Sequence, residues 1–330
     1  MLSRRNIRVK VMQTLYSIES MNKETRPGEP LQILKKKLEN SQQLLTFLVC
    51  YIIDVARYSE KDALQKSQKY LPTENDLNVN TKIAGNQLVW EIDENKSFQK
   101  SVEKFKTKYL MNDELIRKSY LALIKSPEYK GYIAAQSRDK KSEKNILEFI
   151  FSDLMIPDEY FLSDVEEKFI HWDDDAEMMI LLMAKFLQKP AAFNFDEMVG
   201  NEKMKFAVDL LNAVIDKDAY CLELIKPKLK NWDSERIALL DMILIKMGIC
   251  ELLYFETIPT TSVGSVRSNL GQIGIGPQGR VTHPSGPTPR FQRASGVDIL
   301  NPTQSRIPPT RGRVSNSVCV LTIALCSGNV

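Results

Sequence analysis

An all-α protein is what this sequence predicts, and three observations carry the prediction. Apolar residues recur at steps of three, four and seven through most of residues 1–256, the period of one helix face. Prolines and glycines punctuate those runs, as at Pro27, Gly28, Pro30, Pro72, Pro127 and Pro157. The apolar fraction, 43 %, is sufficient for a globular core. A chain of 330 residues holds one large domain or two ordinary ones.

The first element is residues 1–23. Its opening, SRRNIRVK (3–10), superficially resembles a twin-arginine export signal. Lys10, Gln13 and Glu19 interrupt the apolar run, however, and no A-x-A cleavage site follows, so no export signal is expected. A helix fits better. Ser3 can cap it by accepting from a first-turn N–H, and Ile7, Val11, Leu15 and Ile18 line one face. Arg4, Arg5, Arg8 and Lys10 crowd its first two turns, where the helix dipole disfavours cations. They form either a solvated helix end or a phosphate clamp. Guanidinium groups fork onto phosphate oxygens, and Tyr16 could stack an unpaired base.

Residues 24–30 break the helix. From Leu31 to about Arg57 the pattern is helical again, with Leu34, Leu38, Leu45, Leu48 and Ile52 on one side. Lys-, Glu- and Gln-rich segments continue to about residue 170, interrupted near Leu71-Pro72, Ser126-Pro127 and Ile156-Pro157; helix dominates, with room for short extended pieces. Residues 171–189 predict a helix whose acidic first turn, Asp173-Asp174-Asp175, suits the dipole. A magnesium site is not expected there, because consecutive helical residues point in different directions. Trp172 is expected as a core anchor. In residues 202–230, Met204, Ala207, Val208, Leu211, Val214 and Ile215 form one stripe and Leu222, Ile225 and Leu229 the next. Pro227 suits a first turn or a kink. Asp233 or Ser234 can cap a last helix, with Ile237, Leu240, Leu244 and Met247 as its core face and Pro259 as its stop.

Residues 262–330 are different in kind. They hold nine of the 14 glycines, seven of the 15 prolines, seven arginines, one aspartate, and neither lysine nor glutamate. Such a segment is expected to be disordered. It carries a surplus of six positive charges, so the remaining residues are slightly acidic and any nucleic-acid site must be a local patch. Gly274, Gly276 and Gly279 match a dinucleotide fingerprint with Asp298 downstream, but no strand precedes them and Pro277 denies a following helix. The apolar run 318–326 is too short to span a membrane, and no run reaches 18 uncharged apolar residues. Five cysteines without C-x-x-C spacing indicate free thiols in a reducing compartment, the cytoplasm. Two histidines make a His-rich metal site or a Ser-His-Asp triad unexpected.

Two distant segments together resemble one family. RRNIRVKVMQTLYS is similar to the opening helix of the NusB transcription antitermination factors, an arginine-rich start followed by Q-x-L-Y, here Gln13, Leu15 and Tyr16. Residues 205–260 are similar to the NusB core in the same order, including Lys226-Pro227 and Glu251-Leu252. Residues 24–200 resemble, more weakly, the long helical insert of an enlarged variant. The resemblance implies two small helical bundles and a role in ribosomal RNA transcription. It implies partnership with NusE, a small-subunit ribosomal protein, on boxA-like single-stranded RNA, within the RNA polymerase elongation complex with other Nus factors. No cofactor and no membrane are implied. Arg4, Arg5, Arg8 and Lys10 would meet phosphates, Gln13 a polar group and Tyr16 a base. Lys228 stands where the family often has an aromatic near RNA, and Glu251 lies on the helix expected to face the partner.

The organisation expected is therefore an Arg-rich helix (1–23), a mainly helical insert (24–170), an incomplete NusB-like core (171–261) and the disordered tail (262–330). After Ile258-Pro259-Thr260 the family continues V-x-I-N-E-A-x-x-L-A-K and F-V-N-G-x-L-D, whereas this chain reads SVGSVRSNLGQ, as if translated in another frame. The N-terminal helix is expected to pack on the 202–256 block. Two other functions fit a helical protein: an interaction module without RNA, or the NusB-like domain of an RNA methyltransferase. The latter needs a cysteine after proline or threonine and an α/β cofactor domain. None of the five cysteines follows proline or threonine and no α/β alternation follows residue 261, so no enzyme is expected.

Overall fold

The structure, a computed structural model, describes residues 2–21, 26–229 and 237–255. Among the described residues every regular element is helical and there is no strand. In chain order the helices are α1 (Arg4–Ser20), α2 (Glu29–Ser67), α3 (Glu74–Leu77), α4 (Gln87–Asp93), α5 (Lys96–Phe105), α6 (Asp113–Leu123), α7 (Pro127–Ala134), α8 (Lys140–Phe149), α9 (Glu159–Lys168), α10 (Trp172–Gln188), α11 (Asn201–Asp216), α12 (Asp218–Ile225) and α13 (Leu239–Tyr254). A 3-10 turn, Thr107–Leu110, follows α5, and α8 runs into a π turn, Ile150–Met155. No described helix is long and apolar enough to cross a membrane. The chain divides into two compact units, Met1–Asp216 and Lys217–Val330.

In the first unit α2 is the spine. Its 39 residues extend about 58 Å at 1.5 Å per residue. Leu44 to Ile53 are buried on every side, as a run of Leu, Phe, Val, Tyr and Ile requires of a central helix. Gly28 turns the chain into it at φ 84°, a left-handed conformation that favours glycine, and Pro30 sits in the first turn, where no N–H is needed. The helix continues ten residues past Arg57 because its polar end finds partners. Asp62 accepts from Tyr120 at 3.1 Å and from Lys66 at 2.8 Å.

Helix α1 packs on α2 and α11, which lies within the expected 202–256 block. Ser3 caps it, accepting from the Asn6 N–H at 3.2 Å. Ile7, Val11 and Leu15 are buried as their spacing predicts. Helices α4 to α9 start where sequence chemistry starts them. Asn86, Asn95, Asn112, Ser126, Asp139 and Asp158 each accept first-turn N–H groups of α4 to α9 in turn. Trp172, at the start of α10, is buried as expected.

The stripe of α11 needs correction. Phe206, Ala207, Leu210, Leu211 and Val214 are buried, while Met204 and Val208 are half-buried and Ile215 is exposed. In the second unit α12 packs on α13, followed by a 3-10 turn, Lys226–Lys228, that contains Pro227. Of the face expected on α13 only Met247 is fully buried; Met242, Ile243, Lys246, Cys250 and Glu251 accompany it. The helix is apolar nearly all round, so the sequence does not fix its rotation. The caps at Asp233 and Ser234, the stop at Pro259, the glycine motif with Asp298, Cys319, Cys326 and the 262–330 tail lie outside the described residues.

Asp54 on α2 has a measurable consequence. Burial pushes its carboxyl up to about 6, against the nearby cations Arg57 and Lys108 and together with Asp113 and Asp93. The unfolded value is about 3.9. The native state therefore holds a proton that the unfolded chain releases, and stability falls as pH rises from about 4 through 6. Asp54→Asn should exceed wild type by about 1–3 kcal/mol at pH 7 and show no advantage at pH 4, measured by urea unfolding at both values.

Candidate nucleic-acid interface

The outward face of α1 is set by its inward one. With Ile7, Val11, Thr14 and Leu15 buried, Arg5 and Tyr16 point away from the core, Tyr16 being 47 % exposed. Eleven residues of helix bring these two within about 20° of one direction and about 16 Å apart along the axis. One cation and one aromatic ring are therefore presented on the same surface.

Arg4 and Arg8 lie at one edge of that surface, against α11. The Phe206 ring lies beneath both, with guanidinium carbons 5.3 Å and 5.6 Å from its centroid. Arg4 also pairs with Glu202, Nη2 to Oε1 at 3.0 Å. Both α11 residues face α1, one turn apart (i and i+4). The Glu202 carboxylate is well solvated, so its pairing with Arg4 is weak and exchangeable. Phosphate could replace it.

Lys10 departs from the expected role. It is 1 % exposed, and its Nζ lies 2.6 Å from both carboxylate oxygens of Asp175 on α10. Ser41 of α2 donates to the same carboxylate at 3.0 Å. This charge is spent inside the unit rather than on phosphate, because residue 10 falls on the buried side of α1. It also acts on its surroundings. Burial and then Lys10 hold Lys37 below the usual lysine range and His171 below the usual histidine range. Beside this pair Gln13 donates to Asp174 at 3.1 Å. Asp174 and Asp175 thus fasten α10 to α1.

Two expected residues lie in the second unit. Lys228 is exposed on the 3-10 turn. Glu251, on the helix expected to face the partner, is only 1 % exposed. It shares the inner stripe of α13 with Ile243, Met247 and Cys250 at helical spacing.

Sequence reading missed Phe206, Glu202 and the Lys10–Asp175 pair. Only the apolar stripe of 204–215 hinted at Phe206, and nothing linked it to arginines 198 and 202 positions earlier.

Against known proteins, residues 181–264 match the model of the NusB family. The match takes in the second half of α10 and α11 to α13, and α1 lies outside it. It stops within three residues of the change in composition after 261. No solved structure matches the chain.

Proposed function

Given the NusB-like domain over residues 181–264, we propose that this protein is a non-enzymatic RNA-binding factor of transcription antitermination. It takes boxA-like single-stranded RNA together with NusE and acts in the cytoplasm on the RNA polymerase elongation complex with other Nus factors. The observation that carries the RNA reading is the outward presentation of Arg5 and Tyr16 beside Arg4 and Arg8. Guanidinium forks suit phosphate oxygens, and an exposed ring suits a splayed base. An interaction module without RNA is the competing reading, favoured by the two carboxylates, Glu202 and Asp174, that already engage this surface.

Titrating boxA-like RNA at several salt concentrations, with and without NusE, separates them. Replacing Arg4, Arg5 and Arg8 with alanine should flatten the slope of log K against log salt by about 2, at roughly 0.7 per contact. Tyr16→Ala should cost about 1–3 kcal/mol of binding with little change in slope. Because Tyr16 is half exposed, its melting temperature should stay near that of wild type. No measurable binding by wild type, or a triple variant with unchanged affinity and slope, rejects the RNA surface on α1.

A further inference from the structure

The second unit holds an arrangement that the RNA reading does not use. Cys221 on α12 and Cys250 on α13 are both fully buried and not joined in a disulfide, with their sulfurs 3.6 Å apart. They are 29 residues apart in sequence. The same two helices are joined again about one turn away, where Lys246 Nζ meets Asp218 Oδ1 at 2.5 Å. Asp218 precedes Cys221 by three residues and Lys246 precedes Cys250 by four, so thiol pair and ion pair lie on one shared seam. That second contact fixes the register that keeps the sulfurs opposed. A closure of about 1.5 Å would bring them to disulfide distance, within the reach of side-chain rotation and a small helix shift.

We infer that Cys221 and Cys250 form a reversible disulfide that locks α12 onto α13 when the protein meets a peroxide. The Cys221 thiol loses its proton and its sulfur attacks the peroxide O–O bond. That bond breaks, one oxygen leaves as water, and sulfur is oxidised to the sulfenic acid. Cys250 sulfur, deprotonated in turn, attacks the sulfenic sulfur, and the S–OH bond breaks to release a second water. Two thiols give two electrons, peroxide takes both, and a dithiol reductant reverses the change. Burial, and then Cys221 beside it, push the Cys250 thiol up to about 12. Cys250 at rest is therefore protonated and slow to react, and oxidation proceeds through openings of the seam. The bond shortens the unfolded chain's reach, so it stabilises the protein once formed.

The test uses the full chain, treated with hydrogen peroxide, then unfolded and alkylated before peptide mapping. Two of five thiols should be lost, with one peptide pair joined through Cys221 and Cys250 and an intact mass lower by about 2 Da. Melting temperature should rise by about 5 °C or more and return on reduction. Cys221→Ser should keep all four remaining thiols, whereas Cys250→Ser should form no bridge and lose only the Cys221 thiol, as its sulfenic acid. Five intact thiols after treatment, a bridge mapped to other cysteines, or thiol loss that persists in Cys221→Ser overturns the inference. Failure of RNA binding would leave it untouched, since neither cysteine belongs to α1.

Discussion

Lys10→Met is expected to destabilise the protein by about 3–5 kcal/mol, the cost of leaving the partner of a buried ion pair uncompensated. Among the described residues the Asp175 carboxylate would keep the Ser41 hydroxyl at 3.0 Å in place of two 2.6 Å contacts from the ammonium. Methionine approximates the lysine stem, so the loss reports charge rather than a cavity. The double variant Lys10→Met with Asp175→Leu should recover most of that stability, because a packed apolar pair often matches a buried ionic one. Urea unfolding of the two single variants and the double variant forms a cycle. A single variant within 1 kcal/mol of wild type would show that water reaches this site. The pair joins α1 to α10, so RNA affinity should fall in Lys10→Met and return in the double variant, although Lys10 itself faces inward.

Phe206→Ala should cost about 3–5 kcal/mol, as expected for removing a buried ring. Phe206→Leu is more informative. It keeps apolar volume and removes the ring face under Arg4 and Arg8, where each cation–π contact is worth about 0.5–1 kcal/mol near a surface. Stability should drop modestly. If the proposed RNA surface holds, RNA affinity should fall several-fold with its salt slope preserved, since both arginine charges remain but are less well held. A slope change equal to that of the triple arginine variant would mean that the ring does more than orient them. Isothermal titration at two salt concentrations, beside thermal melts, gives both readings.

The sequence revealed different parts of the protein to different degrees. Helices α1 and α2 were legible because each places a clear apolar stripe beside polar residues. Ile7, Val11 and Leu15, and Leu34, Leu38 and Leu45, are buried where the spacing put them. Helix α13 was not, because Leu239, Ile243, Leu244, Ile245, Met247 and Ile249 surround its axis and leave its phase undetermined. Its two deeply placed charges, Lys246 and Glu251, read as surface residues until their burial is seen. Arg5 and Tyr16 emerged from local pattern alone. Lys10 looked like a fourth surface cation, since the residue that claims it lies 165 positions away and no period connects them. Long-range polar pairing is set by tertiary packing, to which local periodicity is blind.

The dependence of α1 on α10 and α11 has a consequence in time. The ribosome makes the arginine helix well before its partners: Asp175 follows 165 residues after Lys10 and Glu202 follows 198 after Arg4. At about 5–20 residues per second, roughly 10–40 s pass before those partners emerge. During that interval Ile7, Val11 and Leu15 have only the nascent spine helix to lie against, and Lys10 is a solvated cation. The surface that holds Arg4 and Arg8 on an aromatic ring is thus completed late in synthesis, and a chain arrested before residue 206 cannot display it.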